Sequence, residues 1–95
     1  MQIRGIRHKG LKRLVDDDDA RGVDGQVAPK LRRMLTFLED AVGLTALEAV
    51  PFWRVHQLTG DRRGTWSMSV TRNYRLTFQL DEEGSIVDLD LEDYH

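Results

Sequence analysis

From Thr65 to Leu80 the apolar residues of this 95-residue chain fall on every second position. Trp66, Met68 and Val70 alternate with Thr65, Ser67, Ser69 and Thr71. After Arg72-Asn73, Tyr74, Leu76, Phe78 and Leu80 alternate with Arg75, Thr77 and Gln79. A period of two is the signature of strands with one apolar and one polar face. Arg72-Asn73 suits a tight turn, since Asn tolerates positive φ. Trp53-Arg54-Val55-His56-Gln57-Leu58 is a further strand candidate, Gly60 to Gly64 is a turn, Asp81 to Gly84 is a loop, and Ser85 to Leu91 is a last strand. Gln2 to Arg7 has the makings of a short first strand.

The first half of the chain has a different period. Lys9 to Val15 places Leu11, Leu14 and Val15 on one helical stripe, and Asp16 to Asp19 is expected to end it in a loop, because carboxylates oppose the dipole at a helix C-terminus. From Gly25 to Val42, residues Val27, Leu31, Met34, Leu35, Leu38 and Val42 share one face. Asp24 is a candidate N-cap, Pro29 belongs to the first turn, and Gly43 is a candidate C′ residue. Thr45 to Glu48 matches a capping box, giving one extra turn before Pro51. Helices followed by an antiparallel meander define an α+β domain spanning 1–95, with two N-terminal helices on one face of the sheet. The other face is expected to be wet and to carry Ser67, Ser69, Arg75, Thr77 and Gln79, with His56 along its edge.

Composition narrows the chemistry. The chain has no cysteine, which excludes a disulfide framework, a thiolate metal site and a Cys nucleophile. Its three histidines, His8, His56 and His95, form no metal-binding spacing. No apolar run reaches the roughly 20 residues that span a bilayer, and the charged opening lacks the apolar core of a signal peptide, so a cytosolic protein is expected. The net charge is −2, which offers no global attraction to nucleic acid. The distribution is uneven: residues 51–80 carry five arginines against Asp61 alone, whereas 81–95 carry seven acids and no Lys or Arg.

Few side chains are suited to reaction chemistry. His56 is a candidate general acid or base, although a scattered histidine is more often structural. Arg75 is either one half of a cross-strand ion pair with Asp88 or Asp90, or a bidentate phosphate ligand. Asp93, Tyr94 and His95 end the chain with three groups able to accept or move a proton. The four-aspartate run lacks the glycine and distal Glu of a calcium loop. Ser67 and Ser69 lack a nucleophile elbow.

Several segments together resemble one family. Val55-His56-Gln57-Leu58-Thr59-Gly60-Asp61-Arg62-Arg63-Gly64-Thr65-Trp66-Ser67 is similar to the "LHPLKGDRxGxWS" stretch of HigB toxins. Ser69 to Phe78 resembles their "SVxxNWRLTF", and Leu91 to His95 their terminal "YEDYH". The opening "RHKGL" from Arg7 to Leu11, Arg21-Gly22-Val23, and Lys30 to Leu35 match the helical part. The resemblance implies a RelE-like, microbial-ribonuclease-like fold. It further implies a toxin that cleaves mRNA in the ribosomal A site without a metal or other cofactor. The implied partners are the 70S ribosome with its mRNA and a HigA-type helix-turn-helix antitoxin. Operator DNA would be contacted only through the antitoxin complex, and no membrane is involved. The implied catalytic positions are His56, Arg75, Asp93, Tyr94 and His95; Arg54, Arg62 and Arg63, from the basic middle of the chain, are expected to meet RNA phosphate in place of a family lysine that this chain lacks. Three positions depart from the pattern: Thr59 stands where the family has lysine, Gln57 where it has proline, and Tyr74 where it has tryptophan. Two readings compete with the ribonuclease: a gyrase poison of the ParE type in the same superfamily, and an inactive remnant that only binds its antitoxin as a co-repressor.

Overall fold

The computed structural model describes residues 1–93; Tyr94 and His95 lie outside the described residues. Helices α1 (Lys9–Asp17), α2 (Ala28–Asp40) and α3 (Leu44–Glu48) precede strands β1 (His56–Gln57), β2 (Trp66–Ser69), β3 (Tyr74–Leu80) and β4 (Ile86–Asp93). The strands form an antiparallel sheet in chain order. Leu11, Leu14, Leu31, Met34, Leu38 and Leu47 from the helices meet Met68, Val70, Leu76, Phe78, Ile86 and Leu89 from the sheet in one core. The helices thus cover one sheet face, as the alternation predicts, with α3 added to the expected pair. No helix among the described residues is long and apolar enough to cross a membrane.

The helix boundaries differ from expectation for local reasons. Helix α1 runs two residues into the acidic stretch, where Lys12 pairs with Asp16 at 2.6 Å one turn away. Asp18 then takes a left-handed conformation (φ 53°) and accepts from Arg32 of α2 at 2.9 Å. At the start of α2, Asp24 caps a preceding turn rather than the helix itself: its side chain accepts from Gln26 N–H and its carbonyl from Val27 and Ala28. Gly43 is no C′ residue. It is extended and leads into α3, where Thr45 lies within the helix and no side chain caps the N-terminus. Gly10 and Gly22, from two separate motifs, turn out to be a packing pair. A Cβ on Gly10 would collide with the Gly22 carbonyl, so α1 and the Ala20–Gly22 turn close onto each other only without side chains.

The last strand carries the feature on which the site depends. Its pairing with β3 runs Leu80 to Ile86 and Gln79 to Val87, then resumes at Thr77 to Asp90 and Arg75 to Glu92. Phe78 therefore opposes two residues, Asp88 and Leu89, and Asp88 sits at φ 53°. This is a β-bulge, one extra residue that resets the alternation. Before it, Ile86 faces the core; after it, Leu89 and Leu91 do. Asp90 and Glu92 are thereby turned to the opposite face. The expected first strand reduces to two parallel bridges, Ile3 to Ile86 and Ile6 to Leu89. Its apolar spacing of three is not that of a regular strand. It fits β4 because the bulge gives β4 the same spacing.

Asp88 is exposed, so its conformation can be tested without touching the core. A left-handed residue with a β-branched side chain costs about 1–2 kcal/mol, whereas glycine adopts that conformation freely. Asp88→Val should lower the thermal midpoint by roughly 5–10 °C and Asp88→Gly should not. Equal midpoints for the two variants would contradict the bulge.

Candidate active site

The polar sheet face is not uniformly wet. Ser67 and Thr77 are only 3% and 2% exposed, because longer neighbours close over them. Ser67 lies between His56 and Thr77 across three strands, and Ser69 lies opposite Arg75. Arg54, His56, Ser67, Ser69 and Arg75 line one open polar cleft of about 460 Å³. Three of the residues singled out from the sequence, Arg54, His56 and Arg75, are therefore brought together. His56 lies across β2 from Thr77, so Arg75 is two strands over and two residues along, roughly 12 Å away at the backbone.

Positioning of His56 begins upstream. Pro51–Trp53 forms a 3₁₀ turn, which Pro51 favours through its fixed φ. Trp53 is buried and stacks edge-on against Phe37 of α2 with ring centroids 4.9 Å apart. Anchored there, the chain reverses through Arg54 at φ 50°. The expected strand from Trp53 to Leu58 consequently shrinks to His56–Gln57. The reversal points the Arg54 carbonyl at the His56 ring, with Nδ1 2.7 Å from the oxygen. A carbonyl can only accept, so Nδ1 carries the proton and Nε2 of the neutral ring is an acceptor. His8 has the opposite arrangement. Its Nδ1 accepts from the Leu11 N–H at 3.0 Å and caps α1, a structural role.

Arg75 does pair across the sheet, but with Glu92 rather than with Asp88 or Asp90. The bulge decides the register. Glu92 is a hub that sequence reading passed over. Its Oε1 accepts from Arg75 Nε and Nη2 at 3.3 and 3.0 Å, and from Arg62 Nη1 at 2.9 Å. Its Oε2 accepts from Arg62 Nη2 and from the Thr77 hydroxyl, the latter at 2.6 Å. Arg62 is thus engaged by a carboxylate. Arg63 follows it with an exposed side chain, and neither lines the cleft. Thr59 does not line it either. Asp93 ends β4 opposite Tyr74, whose hydroxyl pKa is raised by burial first and then by Asp24 and Asp93. The expected roles of Tyr94 and His95 fall outside the described residues. Among the described residues no group of three or more His, Asp or Glu stands close enough to hold a metal ion.

The Glu92 carboxyl is pulled from an ordinary value near 4.5 to about 2. Hydrogen bonds from Arg62 contribute most. Burial opposes them, and Thr77 and Arg75 add to the lowering. A depressed carboxylate stabilises the fold above its unfolded pKa, and that contribution disappears as pH falls through the folded value. Glu92→Gln should therefore be less stable than the unaltered chain at pH 7 by on the order of 2 kcal/mol. The gap should close between about pH 4.5 and pH 2, measured by thermal unfolding across that range. A gap independent of pH would show that the carboxylate's charge contributes nothing.

Comparison with known proteins agrees with this architecture. A family model described as the RelE-like toxin of the type II toxin–antitoxin system HigB matches residues 4–95. The chain is 36% identical over 93 residues to the endoribonuclease HigB of Proteus vulgaris, covering 98% of this chain and 99% of that one. YafQ from E. coli strain BL21(DE3) superposes with a TM-score of 0.58 at 14% identity, over 98% of this chain and 93% of the other. The toxin–antitoxin complex YoeB–YefM from Staphylococcus aureus gives 0.56 at 13% identity, over 100% and 99%. At such identities the two structures speak to the fold alone, which is that of RelE- and YoeB-like toxins.

Proposed function

Because this chain belongs to the HigB family of RelE-like toxins of type II toxin–antitoxin systems, we propose that it is an endoribonuclease that cuts mRNA in the ribosomal A site. It acts in the cytoplasm and is neutralised by a HigA-type helix-turn-helix antitoxin, through which alone it reaches operator DNA. The reading is supported first by the family and by the endoribonuclease relative. The single structural observation that carries it is the cleft in which the acceptor nitrogen of His56, two flanking arginines and two serine hydroxyls share one polar wall.

RNA carries its own nucleophile. The 2′-OH attacks the adjacent phosphorus, the new O–P bond forms, and the bond to the 5′ oxygen breaks. The products are a cyclic phosphate and a free 5′-OH. Three things must be supplied: a base for the 2′ proton, positive charge for the pentacoordinate phosphorus, and an acid for the leaving oxygen. His56 Nε2 takes the 2′ proton, since Nδ1 is held by the Arg54 carbonyl. Arg75 stabilises the phosphoryl oxygens, with Arg54 on the flanking phosphate and Arg63 farther out. His95 protonates the 5′ oxygen, Asp93 orients a histidine or contacts the 2′-OH, and Tyr94 stacks on a base. Side chains supply every proton transfer in this scheme.

Arg75→Ala should fold, because Arg62 and Thr77 still satisfy Glu92, and should lose mRNA cleavage by at least about 100-fold. His56→Ala should lose a similar factor. Pulse labelling after induction should show protein synthesis stopping before DNA synthesis in the unaltered chain and neither stopping in Arg75→Ala. A well-expressed Arg75→Ala that remains fully toxic sinks the assignment. DNA synthesis failing first would replace the ribonuclease with a gyrase poison.

A further inference from the structure

We propose that Glu92 and Arg62 form a brace that positions the Arg75 guanidinium, so that Arg62 serves the reaction through Glu92 and not by touching RNA. The inference rests on the ribonuclease reading for its consequence and on the ion-pair geometry for its existence.

Of the three residues, only Arg75 lines the cleft that holds His56. Glu92 stands directly opposite it on β4. The Nε and Nη2 atoms of Arg75 rest on Glu92 Oε1. Arg62 reaches the same carboxylate from the Gly60–Arg62 turn and grips both oxygens, and Thr77 fixes the second oxygen from beneath. Five hydrogen bonds thus converge on one carboxylate, which offers about four lone-pair sites. Glu92 has no acceptor capacity left for a substrate hydroxyl or a catalytic proton. It is a positioning residue, and so is Arg62.

The brace matters because an arginine side chain has many rotamers. A guanidinium held at one place before RNA arrives meets developing charge without reorganising, which acts on the chemical step more than on binding. The burial gradient fits this order: the side chains of Glu92 and Arg75 are 19% and 23% exposed, that of Arg62 is 44% exposed. Arg62 closes the network from outside and shields it from solvent.

The test uses the full-length chain, cleavage of ribosome-bound mRNA, and the Arg75 Nε–H resonance in the absence of RNA. Glu92→Gln and Arg62→Ala should each lower kcat by about 10- to 100-fold, the scale of a roughly 1 Å misplacement, with KM within about threefold. The double variant should be no worse than the more impaired single one, because both changes break one unit. Arg62→Lys keeps the charge but not the two-pronged grip, so it should recover only part of the rate. The resonance should shift in both single variants. Arg62→Ala is the variant least able to disturb folding, and it decides alone if Glu92→Gln unfolds. Several outcomes overturn the brace: a raised KM and a salt dependence of binding reduced by about one charge in Arg62→Ala, which would mean direct RNA contact; faster cleavage in Glu92→Gln, which would make the carboxylate a competitor of phosphate; or an Arg75 resonance unmoved by Arg62→Ala. If the unaltered chain leaves ribosome-bound mRNA uncut, the ribonuclease reading falls, and the resonance still decides whether the brace exists.

Discussion

The extra residue at Asp88 determines which side of the sheet the last strand's acids occupy. Continue the register from Leu80 and Ile86 without it, and Leu91 would oppose Arg75 while Glu92 would point into the core. A buried, unpaired carboxylate costs several kcal/mol, and a leucine on the polar face would leave Arg75 without that partner. The bulge removes both problems with one left-handed residue, of a type that tolerates the conformation. It also gives β4 the apolar spacing of three that the Ile3 and Ile6 segment matches. One backbone irregularity therefore joins the N-terminal segment to the sheet and assembles the charge network behind the cleft.

The charge pattern changes meaning once that register is known. Read along the chain, the arginines of 51–80 and the acids of 81–95 look like separate blocks of opposite sign. In the fold they interleave. Arg62 and Arg75 converge on Glu92, and Arg4 meets Asp81 and Glu83. The acidic strand does not simply oppose the cationic site. One of its carboxylates, Glu92, binds both Arg62 and Arg75, while Arg54, delivered by a separate turn, brings positive charge to the cleft beside His56.

Much of this was legible in the sequence. Strand β3 appears with the boundaries its alternation predicts, and the core faces of α1 and α2 follow from helical spacing as far as Leu38, whereas Val42, expected on the same stripe, lies past the end of α2 and is exposed. His56 and Arg75 were identified from side-chain chemistry and from the family resemblance, and they line one cleft. What was not legible depends on long-range geometry. Nothing local to Trp53-Arg54-Val55 shows that Trp53 will anchor against Phe37 and turn a plausible strand into a reversal. Nothing local to Glu92 shows that it faces Arg75, because strict alternation from Ile86 puts it on the wrong side. Arg62 reads as a phosphate contact from its charge alone, and its partner lies 30 residues away. The available signal was the charge of the strand itself: an acid two residues from Asp90, in a segment with no basic residue of its own, needs a cation from elsewhere.

The orientation of His56 follows the same economy of parts. Catalytic histidines are commonly fixed by a carboxylate that selects the tautomer and also adds negative charge. At His56 a backbone carbonyl selects the tautomer, and the Glu92 carboxylate holds Arg75 instead. That division suits the phosphate reaction proposed for this cleft. A carboxylate beside His56 would repel the anionic substrate where it must approach, whereas Glu92 sits behind Arg75 and outside the cleft lining. The reversal at Arg54 provides the carbonyl and the flanking guanidinium from one residue. The anchoring of Trp53, remote from any substrate, is therefore what sets both the proton on His56 and the cation beside it.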